Sequence, residues 1–200
     1  MKFIALILVL AFSIFGCSGS KEMQIGEEKT INASTSSKPD WLMKTSEFTD
    51  GDLYVTGVMT KAYDMSFGMN QANADGMQKL VNTMGNEVKT QTTQALQGAN
   101  MSDGDVGRYS SFAIAWVSDT KRIMGVTSPE SYWEKVEKNE PSGLTYSYNC
   151  YTRLKISKKD YQASLYGAYD EMKKQAQKEN NQKAEKVADD LLKELKDQSK

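Results

Sequence analysis

The sequence contains no histidine, and this absence removes several kinds of chemistry at once. Histidine is the commonest general base near neutral pH and the commonest ligand of transition metals. A serine–histidine–aspartate triad is excluded for the same reason. We therefore expect a protein that is not an enzyme, with no catalytic residues, no metal site and no cofactor.

Cysteine is almost as scarce, since the chain has only Cys17 and Cys150. Cys17 belongs to a predicted lipidation motif, described below, so a disulfide within the monomer is not expected. Cys150 falls on the apolar side of an alternating segment, where a free cysteine behaves as a small hydrophobic residue. With no histidine to act as a base, a catalytic thiolate is not expected there.

An excess of one charge and long hydrophobic runs are also lacking. The formal net charge is −1, so no basic excess is available to neutralise phosphates, and a nucleic-acid partner is not expected. The one strongly apolar run, Phe3 to Phe15, has about 13 residues, whereas a helix needs roughly 20 to span a bilayer. Its position after Lys2 is typical of a secretion signal.

The apolar run ends in Ile14-Phe15-Gly16-Cys17, which resembles the lipobox of bacterial lipoproteins. In such a motif the small Gly16 admits the peptidase, and the Cys17 thiol takes the diacylglycerol. We predict that residues 1–16 are a signal peptide and that Cys17 is the lipid-attachment site, with palmitate among its acyl chains. The alternative is an ordinary secretion signal followed by an incidental cysteine.

The residues after Cys17 predict where the protein resides and how it is held. Ser18 follows the cysteine, rather than the aspartate associated with inner-membrane retention, so we expect an outer-membrane protein that faces the periplasm or the cell surface. Attachment should be stable, since each buried methylene contributes about 0.8 kcal/mol. Residues 17–38 are rich in polar side chains without apolar periodicity, which predicts a lipidated, flexible tether.

A folded domain is predicted over residues 39–172, beginning at Pro39. Trp41 is expected to close one end of the core rather than to stack on a ligand. Leu53 to Val58 is β-branched and aromatic, which predicts a strand. A long helix from Asp64 to Leu96 is predicted from apolar residues at three- and four-residue steps. These residues are Met65, Met69, Ala72, Leu80, Val81, Met84, Val88 and Leu96.

In the second half of the domain, the sequence pattern predicts a pair of strands after a segment of ambiguous secondary structure. Val106 to Thr120 fits a helix or a strand, with the helix favoured. Arg122 to Val136 is interpreted as a strand bulged at Pro129, and Leu144 to Ile156 as a second strand. Alternation places one set of side chains of this second strand on the core face. The set is Tyr146, Tyr148, Cys150, Thr152, Leu154 and Ile156.

Lys158 to Lys196 is predicted to be helical, with a break near Asn180-Asn181. Residues 173–200 form a charged helical extension in which Ala184, Ala188, Leu191 and Leu195 have coiled-coil spacing. The extension either projects to pair with another chain or folds back on its own domain. The expected fold is α+β: a small sheet with a long helix and a C-terminal helix packed on it, as a single two-layer domain after a lipidated tether.

The order of these elements resembles the LPP-twenty family of outer-membrane lipoproteins, which includes FlgP-like flagellar lipoproteins. The resemblance covers roughly Pro39 to Met172. The matching features are Pro39 with Trp41, the strand Tyr54 to Val58, the helix bearing Ala72, Ala74 and Leu80, and the strand Tyr146 to Leu154. The resemblance implies an α/β sandwich at the outer membrane without catalytic residues. It also implies relatives that assemble around the flagellar motor and others known as surface antigens.

Two functions remain open on the sequence. The first is a non-enzymatic envelope scaffold or interaction module, working as a homo-oligomer or with an envelope protein in a larger, flagellum-associated assembly. The second is a monomeric module that binds a small ligand or cell-wall fragment through Trp116, Trp133 and the tyrosines between Leu144 and Tyr151. An enzyme is least favoured, since Glu134, Glu137 and Glu140 are predicted on a helical surface or in a loop without a nucleophile motif.

Overall fold

The structure, a computed structural model, describes residues 23–198 and has the expected α+β architecture. The strands are β1 (Glu28–Ala33), β2 (Ser46–Thr49), β3 (Asp52–Ala62), β4 (Thr127–Glu140) and β5 (Gly143–Ile156). The helices are α1 (Met65–Gly98), α2 (Asp103–Ser118), α3 (Lys158–Lys178) and α4 (Gln182–Gln198). The predicted signal residues 1–16 and the lipid-attachment residue Cys17 lie outside the described residues.

The five strands form one antiparallel sheet in the order β1-β4-β5-β3-β2. β4 and β5 form a long hairpin of 14 residues on each side, closed at Glu140 and Gly143. β3 is shorter, and its pairing with β5 ends where Ala62 lies opposite Tyr148. The closed end of the hairpin therefore extends beyond β3, with only β1 beside it.

The long helix α1 packs across one face of the sheet by backbone contact. A Cβ atom on Gly57 of β3 would lie only 1.9 Å from the carbonyl oxygen of Ala72 in α1. A Cβ atom on Gly68 would lie 2.6 Å from the Cys150 sulfur of β5. At 1.5 Å per residue, the 34-residue helix is about 51 Å long, so it continues well past the sheet. Its second half packs against α2 and α4.

The C-terminal extension folds back on its own domain. Ala184 and Ala188 of α4 are fully buried, and they belong to the same core cluster as Leu80 and Leu96 of α1. The expected break is confirmed between α3 and α4, where Asn180 has a φ of 56°. No boundary falls between residues 172 and 173, because α3 continues through that point. The extension is thus part of the core rather than an appendage.

Several predicted elements are confirmed near their expected bounds. The helix expected from Asp64 to Leu96 is α1, which begins after Asp64 accepts a hydrogen bond from the Phe67 amide. The ambiguous segment from Val106 to Thr120 is helical, as favoured, and Ser102 caps the resulting α2. The strand expected from Leu144 to Ile156 is β5.

The prediction of an unstructured tether over residues 17–38 is wrong for part of its length. Glu28–Ala33 forms β1 and pairs with β4, with Glu28 opposite Lys138 and Ala33 opposite Glu134. This strand has no alternating apolar pattern because it is at the edge of the sheet and almost every residue is exposed. Its side chains carry no burial signal, and backbone pairing holds it in place.

The predicted strand from Arg122 to Val136 is displaced along the chain. Thr120–Arg122 forms a short 3-10 turn, and β4 begins at Thr127 and continues to Glu140. The side chain of Asp119 accepts a hydrogen bond from the Lys121 amide and starts that turn. The expected bulge is confirmed, since the register with β5 shifts between Thr127 and Glu130, on either side of Pro129.

Candidate functional site

The closed end of the β4–β5 hairpin, together with the adjoining part that pairs with the end of β3, carries a group of large side chains on the face that α1 covers further along the sheet. This group is Trp133, Leu144, Tyr146 and Tyr148, here called the aromatic hairpin face. Leu144 and Tyr146 are exposed because α1 begins only at Met65, beside Cys150, whereas Tyr148 and Trp133, which lie nearer to that point, are half-buried. Leu144 is 54% exposed and Tyr146 is 50% exposed. The placement of Tyr146 and Tyr148 on one face is as predicted, but that face is not core at these two positions.

The aromatic rings are arranged around a lysine. Trp133 and Tyr148 meet edge to face with ring centroids 6.2 Å apart. The Lys135 ammonium lies 4.8 Å from the ring centroid of Tyr146 and 5.9 Å from that of Tyr148. The Tyr146 hydroxyl donates a hydrogen bond of 2.9 Å to Glu137, which raises the pKa of Tyr146. The face is thus apolar in its rings and hydrogen-bonded at its rim.

The start of the described chain is bound to the end of this hairpin. The Asn139 side chain donates a 2.6 Å hydrogen bond to the Met23 carbonyl. The backbone of Asn139 also exchanges hydrogen bonds with Gly26 and Glu27, at 2.7 Å and 3.2 Å. Asn139 lies opposite Leu144, so the entering segment lies next to the aromatic hairpin face.

The opposite face of the sheet is closed by residues 34–44, which pass from β1 to β2. Lys38 in this segment places its ammonium 2.8 Å from the buried carboxylate of Glu134. Asn149 donates a further hydrogen bond of 3.1 Å to Glu134. Burial acts to raise the pKa of Glu134, but the bonds from Lys38 and Asn149 outweigh it, so the pKa is lowered. The hydrogen bond to Glu134 in turn raises the pKa of Lys38.

Aromatic residues on this opposite face are core residues. Trp41 is buried, as expected, and its carbonyl accepts a 3.2 Å hydrogen bond from the Thr56 hydroxyl. Tyr132 is also buried and packs against Tyr151 with ring centroids 5.9 Å apart. These side chains serve the closure of the sheet rather than a binding surface.

The structure brings together some of the aromatic residues that the sequence proposed for binding and separates others. Trp133, Tyr146 and Tyr148 share the aromatic hairpin face. Trp116 lies elsewhere, on α2, with its ring against Gly167 of α3 and the Arg122 guanidinium 4.2 Å from its centroid. Trp116 therefore contributes to helix packing. Lys135 was missed, although its place opposite Tyr148 follows from the hairpin register.

Cys150 lies in a packed, apolar position. Its side chain is fully buried and its sulfur is 3.8 Å from the Met65 carbonyl oxygen. Burial raises the pKa of the Cys150 thiol, which disfavours a thiolate. The predicted core role is confirmed for this cysteine.

The three glutamates considered for catalysis lie on β4, not on a helix or in a loop, which corrects the prediction. Glu134 is held by Lys38 on the covered face, Glu137 accepts from Tyr146, and Glu140 is 3.1 Å from Lys138. Each carboxylate has its own partner, and successive members face opposite sides of the sheet. Within residues 23–198, no group of three or more cysteine, aspartate or glutamate side chains is placed to hold a metal ion.

A shallow cleft of 730 Å³ lies between the end of α1 and α4, far from the hairpin. Ala95 and Ala99 of α1 and Val187 and Leu191 of α4 form its apolar part. Charged side chains surround them, including Lys186. The cleft mixes apolar and charged groups without a buried polar side chain aimed into it.

Comparisons with protein-family models, with curated proteins and with solved structures return no match for this chain. What is established is therefore the class of fold, a small α+β domain with a projecting aromatic hairpin. Across the part of the chain that the structure describes, no helix is both long and apolar enough to cross a bilayer.

Proposed function

We propose that this protein is a non-enzymatic lipoprotein of the bacterial outer membrane that acts as an envelope scaffold or interaction module. The observation that carries the proposal is the aromatic hairpin face, an exposed apolar surface next to the segment that leads to the predicted lipid anchor. Contiguous apolar groups that are rimmed by polar residues are typical of interaction sites, and Leu144 and Tyr146 are the exposed members of this face. The lipobox at Gly16 and Cys17 and the resemblance to the LPP-twenty family support the same proposal.

The proposed module is held at the membrane by lipid on Cys17 and faces either the periplasm or the cell surface. Its partner is a second copy of the chain or another envelope protein in a larger assembly. The most specific version of the proposal is a flagellum-associated assembly. Because α4 is packed into the core, the C-terminal extension is not the contact that we propose for assembly. The edge strands of the sheet, β1 and β2, remain as surfaces for assembly.

The test begins with the anchor. Mass spectrometry of the protein from outer membranes should show an N-terminal Cys17 carrying diacylglycerol and palmitate. The Cys17→Ser variant should no longer be found in the membrane fraction. The native mass of the lipidated protein in mild detergent then tests the scaffold. A large, defined assembly would support it, whereas a monomer without lipid on Cys17 would refute both parts of the proposal.

A second candidate, a binding module for a cell-wall fragment, is favoured by the packing of Trp133 against Tyr148 beside Lys135. Aromatic faces stack on sugar rings, and an ammonium can pair with a carboxylate of the ligand. Saturable quenching of Trp133 fluorescence by soluble peptidoglycan fragments would support this function. Trp116→Phe should leave such quenching intact, and Trp133→Phe should remove it. Unchanged fluorescence of the wild type when the fragments are added would exclude the candidate.

A further inference from the structure

The distance between the predicted anchor and the folded domain is short. Met23 is bound to Asn139 at the closed end of the hairpin, and only five residues separate Met23 from Cys17. The six Cα-to-Cα steps from Cys17 to Met23 span at most about 21 Å when fully extended. A lipidated Cys17 would therefore keep this end of the hairpin within roughly that distance of the bilayer surface.

The side chains at this end are those that suit a membrane interface. Tryptophan and tyrosine combine an apolar ring with a polar group. They are enriched at membrane interfaces, where the ring contacts apolar surroundings and the polar group contacts water. The aromatic hairpin face supplies Trp133, Tyr146 and Tyr148 together with Leu144. Ile25, on the entering segment, is 71% exposed. Lys135 keeps its stem on the rings while its ammonium remains available to water or headgroups.

We infer that the aromatic hairpin face docks onto the lipid surface that holds the anchor, so that the domain lies against the membrane in one orientation. This inference rests on the proposed function, because it requires lipid on Cys17. Leu144 and Tyr148 are about 14 Å apart along β5, so the hairpin lies along the surface rather than pointing through it.

Charge does not select the lipid in this arrangement. Lys135 and Lys138 are balanced by Glu137 and Glu140 on the same strand, and Lys138 pairs directly with Glu140. Burial of the rings in the interface, not attraction to anionic headgroups, drives the docking. Docking is therefore expected on phosphatidylcholine alone as well as on mixtures with phosphatidylglycerol, and raised salt should not release it.

The experiment uses the full lipidated protein, reconstituted in phosphatidylcholine vesicles that contain lipids with a nitroxide on the headgroup. Tryptophan quenching is measured in the wild type and in two variants, Trp133→Phe and Trp116→Phe. We expect strong quenching in the wild type and in Trp116→Phe, and loss of most of it in Trp133→Phe. Trp41 is buried, and Trp116, on α2 and away from the hairpin, is half-buried against Gly167, so these two residues supply the unquenched background.

A charged substitution tests the surface itself. Tyr146→Asp places a carboxylate in the docking face and should abolish the quenching of Trp133. The matched control is Tyr166→Asp on α3, where the tyrosine is also exposed but lies outside the hairpin. Equal quenching in the two variants would overturn the inference.

The outcomes separate the docking from the lipidation. Vesicle-bound protein with lipid on Cys17 but an unquenched Trp133 would overturn the docking and leave the proposed anchor intact. Protein without lipid on Cys17 would refute the proposed function, and the docking with it. Quenching that soluble peptidoglycan fragments displace would also overturn the inference, because the aromatic hairpin face would then belong to a cell-wall ligand.

Discussion

Replacement of Gly57 by alanine tests the central packing contact of the fold. Gly57 lies in the interior of β3, directly beneath α1. An added Cβ atom would lie 1.9 Å from the Ala72 carbonyl oxygen, 2.6 Å from the Gly76 nitrogen and 2.8 Å from the Gly76 Cα. All three neighbours are backbone atoms of one helix, so no rotamer change can relieve the clash.

The magnitude follows from the movement that the methyl group requires. Ordinary contacts begin near 3.4 Å, so α1 must move away from β3 by about 1.5 Å at this point. Such a shift weakens the packing of Leu53, Val55 and Leu154 against the helix. Overpacking in a well-packed core costs about 1–3 kcal/mol when side chains can adjust, and backbone contact places this case at or above that limit. We expect Gly57→Ala to lower the free energy of unfolding by about 3–4 kcal/mol and the Tm by about 10 °C.

Thermal and urea unfolding followed by circular dichroism would measure the effect. Gly85→Ala is the matched control, because Gly85 is inside the same helix and its added Cβ atom meets nothing within 4 Å. The control should gain about 0.5–1 kcal/mol from helix propensity. A loss of less than about 1 kcal/mol in Gly57→Ala would refute the close approach of α1 to β3.

Three further changes test other parts of the fold. Thr152→Val should stabilise the protein by about 1 kcal/mol in urea unfolding, because the buried Thr152 hydroxyl has no hydrogen-bond partner; destabilisation would contradict this. The lowered pKa of Glu134 contributes stability above its unfolded pKa of about 4.3, and that stability is lost as the pH falls through the folded pKa. In Glu134→Gln the free energy of unfolding should therefore fall less steeply as the pH is lowered into the acid range. If the fall is unchanged, the ion pair of Glu134 with Lys38 is not the cause of the acid sensitivity. Leu192→Ala should cost about 2–4 kcal/mol and keep a single unfolding transition, whereas Lys193→Ala should be near neutral. Separate melting of α4 would contradict its place in the core.

The elements with a local signal could be predicted from the sequence. In α1, Leu80, Met84 and Val88 recur at the helical step, and all three are fully buried. In β5, Cys150 to Ile156 alternates between buried and partly exposed positions, as a strand with one covered face must. These patterns depend on neighbours a few residues away, and they indicate the element and its buried face together.

The first strand could not be predicted in the same way. Glu28–Ala33 contains a single large apolar residue, Ile31, and even that side chain is 42% exposed. What holds this strand is the backbone of β4, more than 100 residues away along the chain. Glu134 is similar, because its partner Lys38 is distant in sequence and no local pattern marks a buried carboxylate.

At the candidate site, the predicted and the observed burial of the tyrosines differ for a third reason. Alternation correctly placed Tyr146 and Tyr148 on the same face as Cys150, and it wrongly implied that all three are buried. Burial depends on where α1 begins, and Met65 lies beside Cys150 rather than beside the tyrosines. Exposure of the aromatic hairpin face therefore results from a mismatch in length between a hairpin and a helix, which neither segment reveals alone.

The shortened tether changes what a small aromatic surface can do. A free tether of some 20 residues would let the domain move about 25 Å from its anchor, and three aromatic rings would give only weak contact with lipid. With β1 paired to β4 and Met23 bound to Asn139, five residues remain between Cys17 and Met23. Short linkers give effective concentrations in the millimolar range, so a contact too weak to recruit an unlipidated chain is strong enough to orient a lipidated one. In the proposed arrangement the pairing of β1 and the exposure of the hairpin would act together: the strand would bring the aromatic face to the bilayer, and the face would then need only modest affinity to hold the domain in place.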